Sequence, residues 1–196
     1  MALVPVFPLS TPLLPQCILP LQIFEPRYLD MVARCMKEDS GFVITQLVQG
    51  SEVGKGNGDF FPVGTYVRIT DFSQRDNGLL AITVTGEIRM SLTGIRQQND
   101  GLWLAEGDEL PERGEPDLTE LDSLVDLLGK LVAHDLMAHI RSEVDIAQPI
   151  QVMNYLVMLL PITPHQKQAL METDHLGLRW SNLLECIARL EEKANQ

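Results

Sequence analysis

The class of the first half of the chain turns on two runs and the tetrapeptide that joins them: Gly64-Thr65-Tyr66-Val67-Arg68-Ile69-Thr70, Arg75-Asp76-Asn77-Gly78 and Leu79-Leu80-Ala81-Ile82-Thr83-Val84-Thr85. The first run alternates at period two, the last is rich in β-branched residues, and Asn-Gly between them is a strong hairpin signal. Further out, Gly41–Val48 is another β-branched run. Asn99-Asp100-Gly101 marks a second hairpin, joining a strand over Ile88–Gln97 to one over Leu102–Glu106. Val4–Leu9 is apolar but interrupted by Pro5 and Pro8, which suits an edge or irregular strand. About six strands separated by turn residues predict a small, strongly curved antiparallel sheet or barrel.

One helix interrupts this β region, at Leu21-Gln22-Ile23-Phe24-Glu25-Pro26-Arg27-Tyr28-Leu29-Asp30-Met31-Val32. Pro26 suits the first helical position, where its missing N–H would be unpaired anyway. Glu25 puts negative charge at the positive end of the helix dipole, and Phe24 and Leu29 are spaced for a hydrophobic staple. Tyr28, Leu29, Val32, Cys35 and Met36 form an apolar face, with Arg27, Asp30, Arg34 and Lys37 opposite.

Composition changes at Gly107–Pro116, which reads as a charged linker, and the remainder reads as helical. Asp117-Leu118-Thr119-Glu120 resembles a capping box ahead of Leu118, Leu121, Val125, Leu128 and Val132 at helical spacing. A further helix is expected from Pro149 to Leu160. Thr163-Pro164-His165-Gln166 starts another, and Asp174 caps a last one with the face Leu176, Trp180, Leu183, Leu184, Ile187 and Leu190. Short connections make this part a helical bundle.

The chain of 196 residues carries a net charge of −12, concentrated in residues 106–145, where 12 side chains are acidic and 3 basic. That field repels a phosphate backbone, so nucleic acid is an unfavoured partner. The first 24 residues are apolar, but Pro5, Pro8, Pro12, Pro15 and Pro20 forbid a continuous helix, so neither export nor a membrane span is expected. Cys17, Cys35 and Cys186 are widely separated, without zinc-ligand spacing, and fit a reducing cytoplasm as small buried hydrophobes.

No catalytic or metal pattern emerges. Gly54-Lys55-Gly56-Asn57-Gly58 lacks the spacing and hydroxyl residue of a phosphate-binding loop and reads as a connection between strands. His134 and His139 are five apart, about 140° from one another on a helix, and His165 and His175 fall near helix starts. The acidic residues from Glu106 to Asp126 lack the order of a calcium loop. No cofactor, metal or enzymatic activity is expected.

Four elements in order, Val4–Leu9, Leu19–Tyr28, Val63-Gly64-Thr65 and Val84-Thr85-Gly86-Glu87-Ile88-Arg89, resemble the successive motifs of the Lon protease N-terminal substrate-binding domain. The Pro20–Tyr28 element is the specific one. Met90 departs from the aromatic that usually follows the arginine. The likeness continues through Leu159-Leu160-Pro161 and Lys167–Glu172. It implies an α+β fold: a PUA-like curved antiparallel β-domain, a pseudo-barrel with one inserted helix, over residues 1–110, then a C-terminal helical bundle as a subdomain over 117–196. With no ATPase or peptidase motif before Gln196, the chain looks like a stand-alone member of that family.

The resulting expectation is a non-catalytic, cytoplasmic polypeptide-binding module that recognises unfolded protein. It would act as an adaptor or chaperone-like factor in protein quality control, with an ATP-dependent protease as a candidate partner. Its proline-rich N-terminus would border a groove. Phe24 and Tyr28 would supply aromatic contact there, and Glu25 and Arg27 charge or backbone recognition. The same four residues also read as structural, with the rings in the core and Glu25 paired to Arg27 or Arg89. The alternatives are an RNA-binding PUA-like protein using Lys55, Arg68, Arg75, Arg89 and Arg96, and, ranked last, a small-molecule enzyme with an inter-domain cleft.

Overall fold

A computed structural model describes residues 2–49, 59–75, 78–134 and 137–194. Lys55 and its glycine loop lie outside the described residues, as do Asp76 and Asn77 of the first hairpin. Two compact units divide the chain, Met1–Leu110 and Pro111–Gln196.

The first unit contains strands β1 (Ala2–Leu9), β2 (Ile18–Ile23), β3 (Phe42–Gln49), β4 (Asp59–Gln74), β5 (Leu80–Gln97) and β6 (Trp103–Leu110), with helix α1 (Pro26–Glu38) between β2 and β3. Sheet order is β2-β5-β4-β3-β1-β6, and β6 also pairs with β5, so five strands close a circuit while β2 hangs on the early part of β5. The result is a curved pseudo-barrel rather than a regular barrel. All pairings are antiparallel except β1 with β3.

Three expectations about the strands change. Leu79–Thr85 and Ile88–Gln97 are one strand, β5, not two. Gly86 lies at the junction, its N–H donating to Cys17 O at 2.9 Å and its carbonyl accepting from Gln16 N–H at 2.8 Å. A Cβ there would stand 2.5 Å from Leu14 O, so the glycine marks a crossing of chain segments and not a break in the strand. Residues 107–110, read as linker, complete β6. β1 is no edge strand: residues 2–6 pair with β6 and residues 6–9 with β3, overlapping only at Val6. Pro5 and Pro8 are tolerated because each stretch is paired on one side only.

The pseudo-barrel interior is filled by Val4, Val6, Val43, Met90, Leu92 and Ala105, with Phe60, Tyr66, Ile88 and Trp103 against them. Met90 thus fills core volume where an aromatic would be usual. On α1, Glu25 is the N-cap and Pro26 opens the helix, but the buried residues are Arg27, Tyr28, Met31, Val32 and Cys35. Arg27 is therefore on the buried side, and Met36, 43% exposed, is not.

In the second unit, α2 (Leu121–Val132), the single-turn α3 (Ala138–Arg141), α4 (Pro149–Leu159), α5 (Pro164–Glu172) and α6 (Leu176–Ala194) form the bundle. Every residue from Val152 to Met158 is buried, which makes α4 the central helix. It packs against α2, α5 and α6. The Thr163/Gln166 capping box forms in full. The box at Asp117 does not: the Asp117 carboxylate accepts from Thr119 N–H and Oγ1, Glu120 takes φ +59°, and α2 starts at Leu121. Its buried stripe is consequently Leu124, Leu128 and Val132, with Leu118 left 53% exposed.

Buried Arg179 fastens this unit. Its guanidinium donates to both carboxylate oxygens of Glu112, at 3.1 and 2.8 Å, and Nε donates to Thr173 O at 2.9 Å. Trp180 Nε1 donates to Thr119 O at 2.9 Å, so two neighbouring α6 residues hold the segment that enters the unit.

Candidate functional site

Phe24, Glu25 and Tyr28 line one cavity of about 170 Å³, together with Phe7, Leu9 and the Pro20–Ile23 stretch of β2. Arg27 does not line it. The walls follow from local structure. Pro26 starts α1 at once, so Phe24 and Glu25 stand at the turn between β2 and α1, and Tyr28 falls in the first turn of the helix. Tyr28 packs inward, its ring centroid 4.1 Å from that of Phe7, which in turn lies 6.0 Å from Phe42. Phe24 remains 50% exposed.

The charges are spent inside the protein. Arg27 Nη2 pairs with Glu25 Oε2 at 2.9 Å, and Nη1 donates to Gly101 O at 2.8 Å, in the β5–β6 hairpin turn. Its guanidinium also lies 4.6 Å from the Tyr28 ring centroid, a cation–π contact. Of the four residues, Arg27 is held by contacts within the protein and lies off the cavity, while Tyr28 both packs on Phe7 and walls the cavity. Glu25 faces both ways, and Phe24 is the aromatic presented to solvent. The sequence reading missed Phe7 and Leu9 as walls, although their i, i+2 spacing puts both on one face of β1.

At about 170 Å³ the cavity holds roughly five or six waters' worth of volume, below the ~300–1,000 Å³ of small-molecule sites. One apolar side chain fits it. Among the described residues β5 is the one strand that pairs with β2, so beside that cavity the Leu19–Ile23 stretch has no second strand along it.

The other candidates separate. Arg89 is 1% exposed, and Arg68 is engaged by Asp39 at 3.2 Å and Glu87 at 3.5 Å, so these two do not join a basic surface for RNA. Cys17 and Cys35 are buried, and desolvation raises both thiol pKa values, Cys17 well above the ordinary range. Cys186 is half-buried and also raised by desolvation. Among the described residues no group of three or more His, Cys, Asp or Glu is placed to hold a metal ion. The side chain of His139 lies outside them. No described helix is long and apolar enough to cross a membrane.

Comparison with known proteins gives one consistent result. The family described as the ATP-dependent protease La (LON) substrate-binding domain matches residues 3–189. The crystal structure of a Lon N-terminal domain protein from Xanthomonas campestris is 27% identical, with a TM-score of 0.73 over 94% of this chain and 98% of that one. The N-terminal domain of the Mycobacterium avium complex Lon protease is 19% identical, with a TM-score of 0.65 over 94% and 97%, a likeness of fold. No curated protein matches the chain.

Proposed function

From the premise that this chain belongs to the Lon substrate-binding domain family, we propose that it is a non-catalytic polypeptide-recognition module acting in the cytoplasm as an adaptor or chaperone-like factor. The observation that carries the reading is the side-chain-sized apolar cavity beside the Leu19–Ile23 stretch of β2, which has one strand neighbour among the described residues, with half-exposed Phe24 at its lip. An unfolded segment lies extended along β2, inserts one apolar side chain among Phe7, Leu9 and Tyr28, and covers Phe24. Backbone pairing gives sequence tolerance, and the cavity selects apolar residues. Glu25, already paired with Arg27, contributes orientation more than net charge.

Immobilised unfolded polypeptides and a peptide array test this. Micromolar binding that favours apolar residues, and that falls about fivefold in Phe24→Ser with the fold intact, is the expected result. Absence of polypeptide binding above background overturns the reading. For the adaptor role, an ATP-dependent protease should co-purify from the native cells.

A further inference from the structure

We propose that the helical unit carries a second docking surface, a groove between α2 and α6, and that its occupant is a basic amphipathic helix of a protein partner. The groove encloses about 650 Å³. Its apolar floor comes from half-buried Leu127 on α2 and Leu184 and Ile187 on α6, with buried Leu124 beneath. Around them stand Glu120, Asp126, Glu185 and Glu191, against a single cation, Lys130. Glu185 is paired with Arg189 at 3.2 Å, whereas Glu120, Asp126 and Glu191 make no salt bridge among the described residues.

A groove walled by the side chains of two helices accepts the ridge of a third. A strand is the wrong shape, because these walls are side chains and offer no free backbone edge to satisfy its N–H and C=O groups. The rim sets the charge of the occupant: lysines or arginines flanking its apolar stripe would meet three uncompensated carboxylates. A second copy of this chain, at net charge −12, brings mostly the wrong sign, and nucleic acid is repelled outright. The surface is separate from the β2 cavity, whose lining residues all belong to the first unit.

A labelled helical peptide of about 18 residues, with leucines at i, i+3 and i+4 and lysines elsewhere, is the probe, titrated into the full chain by fluorescence anisotropy. Saturable micromolar binding is expected, weakened at least tenfold by Asp126→Lys with Glu191→Lys, and weakened likewise when salt is raised from about 0.05 to 0.5 M. Glu115→Lys with Glu143→Lys changes net charge equally at exposed positions outside the groove and should leave affinity within about twofold. Circular dichroism checks that both variants keep their helices. The proposal is overturned if a scrambled peptide of equal composition binds as tightly, if both charge variants weaken binding alike, or if sedimentation shows the groove occupied by a second copy.

Discussion

Arg27 in the β unit and Arg179 in the helical unit are both buried cations, 7% and 0% exposed, but they are neutralised differently. Arg27 takes its carboxylate from Glu25, two residues away, and reaches a distant hairpin through the Gly101 carbonyl. Arg179 takes both oxygens of Glu112, 67 residues earlier in the chain. A pair two residues apart forms to some extent in the unfolded chain as well, and that part drops out of the folding free energy. A pair between distant residues exists only in the folded state. The helical unit thus depends more on its ion pair, and the β unit on strand pairing and close backbone approach.

The largest effect expected from this contrast is at Arg179→Ala. Removing it empties a fully buried site and takes a donor from Glu112 and from the Thr173 carbonyl, and should cost about 3–4 kcal/mol in urea unfolding. A loss below ~1 kcal/mol would erase the distinction.

The counterpart in the β unit is Gly64→Ala. A Cβ there would lie 2.4 Å from Ile44 O and 2.8 Å from a Val43 methyl, so β3 must shift. The expected cost is about 2–3 kcal/mol, read by the same unfolding measurement.

Arg27→Met should cost less than either, about 1–2 kcal/mol, because Gln97 Nε2 still donates to Gly101 O at 3.1 Å and the pair with Glu25 forms in part in the unfolded chain as well. If Arg27→Met proves as damaging as Arg179→Ala, the local pairing argument fails.

Smallest is Thr163→Ala, which removes the acceptor for the Gln166 N–H and should lower stability by about 1 kcal/mol. A differential scan that separates the units would confine this loss to the helical one.

Local signals were legible, as the Pro26 and Thr163 helix starts and the turn at Asn99–Gly101 show: each depends on residues within one turn of one another. The capping pattern at Asp117 misled because Thr119 competes for the same carboxylate from two residues away. At the candidate site, Phe24, Glu25 and Tyr28 could be named from their motif, but Phe7 and Leu9 could not. Which face of β1 meets α1 depends on how β1 is shared between β3 and β6.

By itself the sequence determined the β-then-helical order, most of the helix starts and the acidic middle, because periodicity, turn chemistry and charge act between near neighbours. Tertiary structure alone decided that β1 pairs parallel with β3, that β5 runs through Gly86, and that Arg27 and Arg179 turn inward. The reason is common to all three. A backbone edge or a guanidinium takes its place from whichever partner arrives from far along the chain, and no local pattern encodes that meeting.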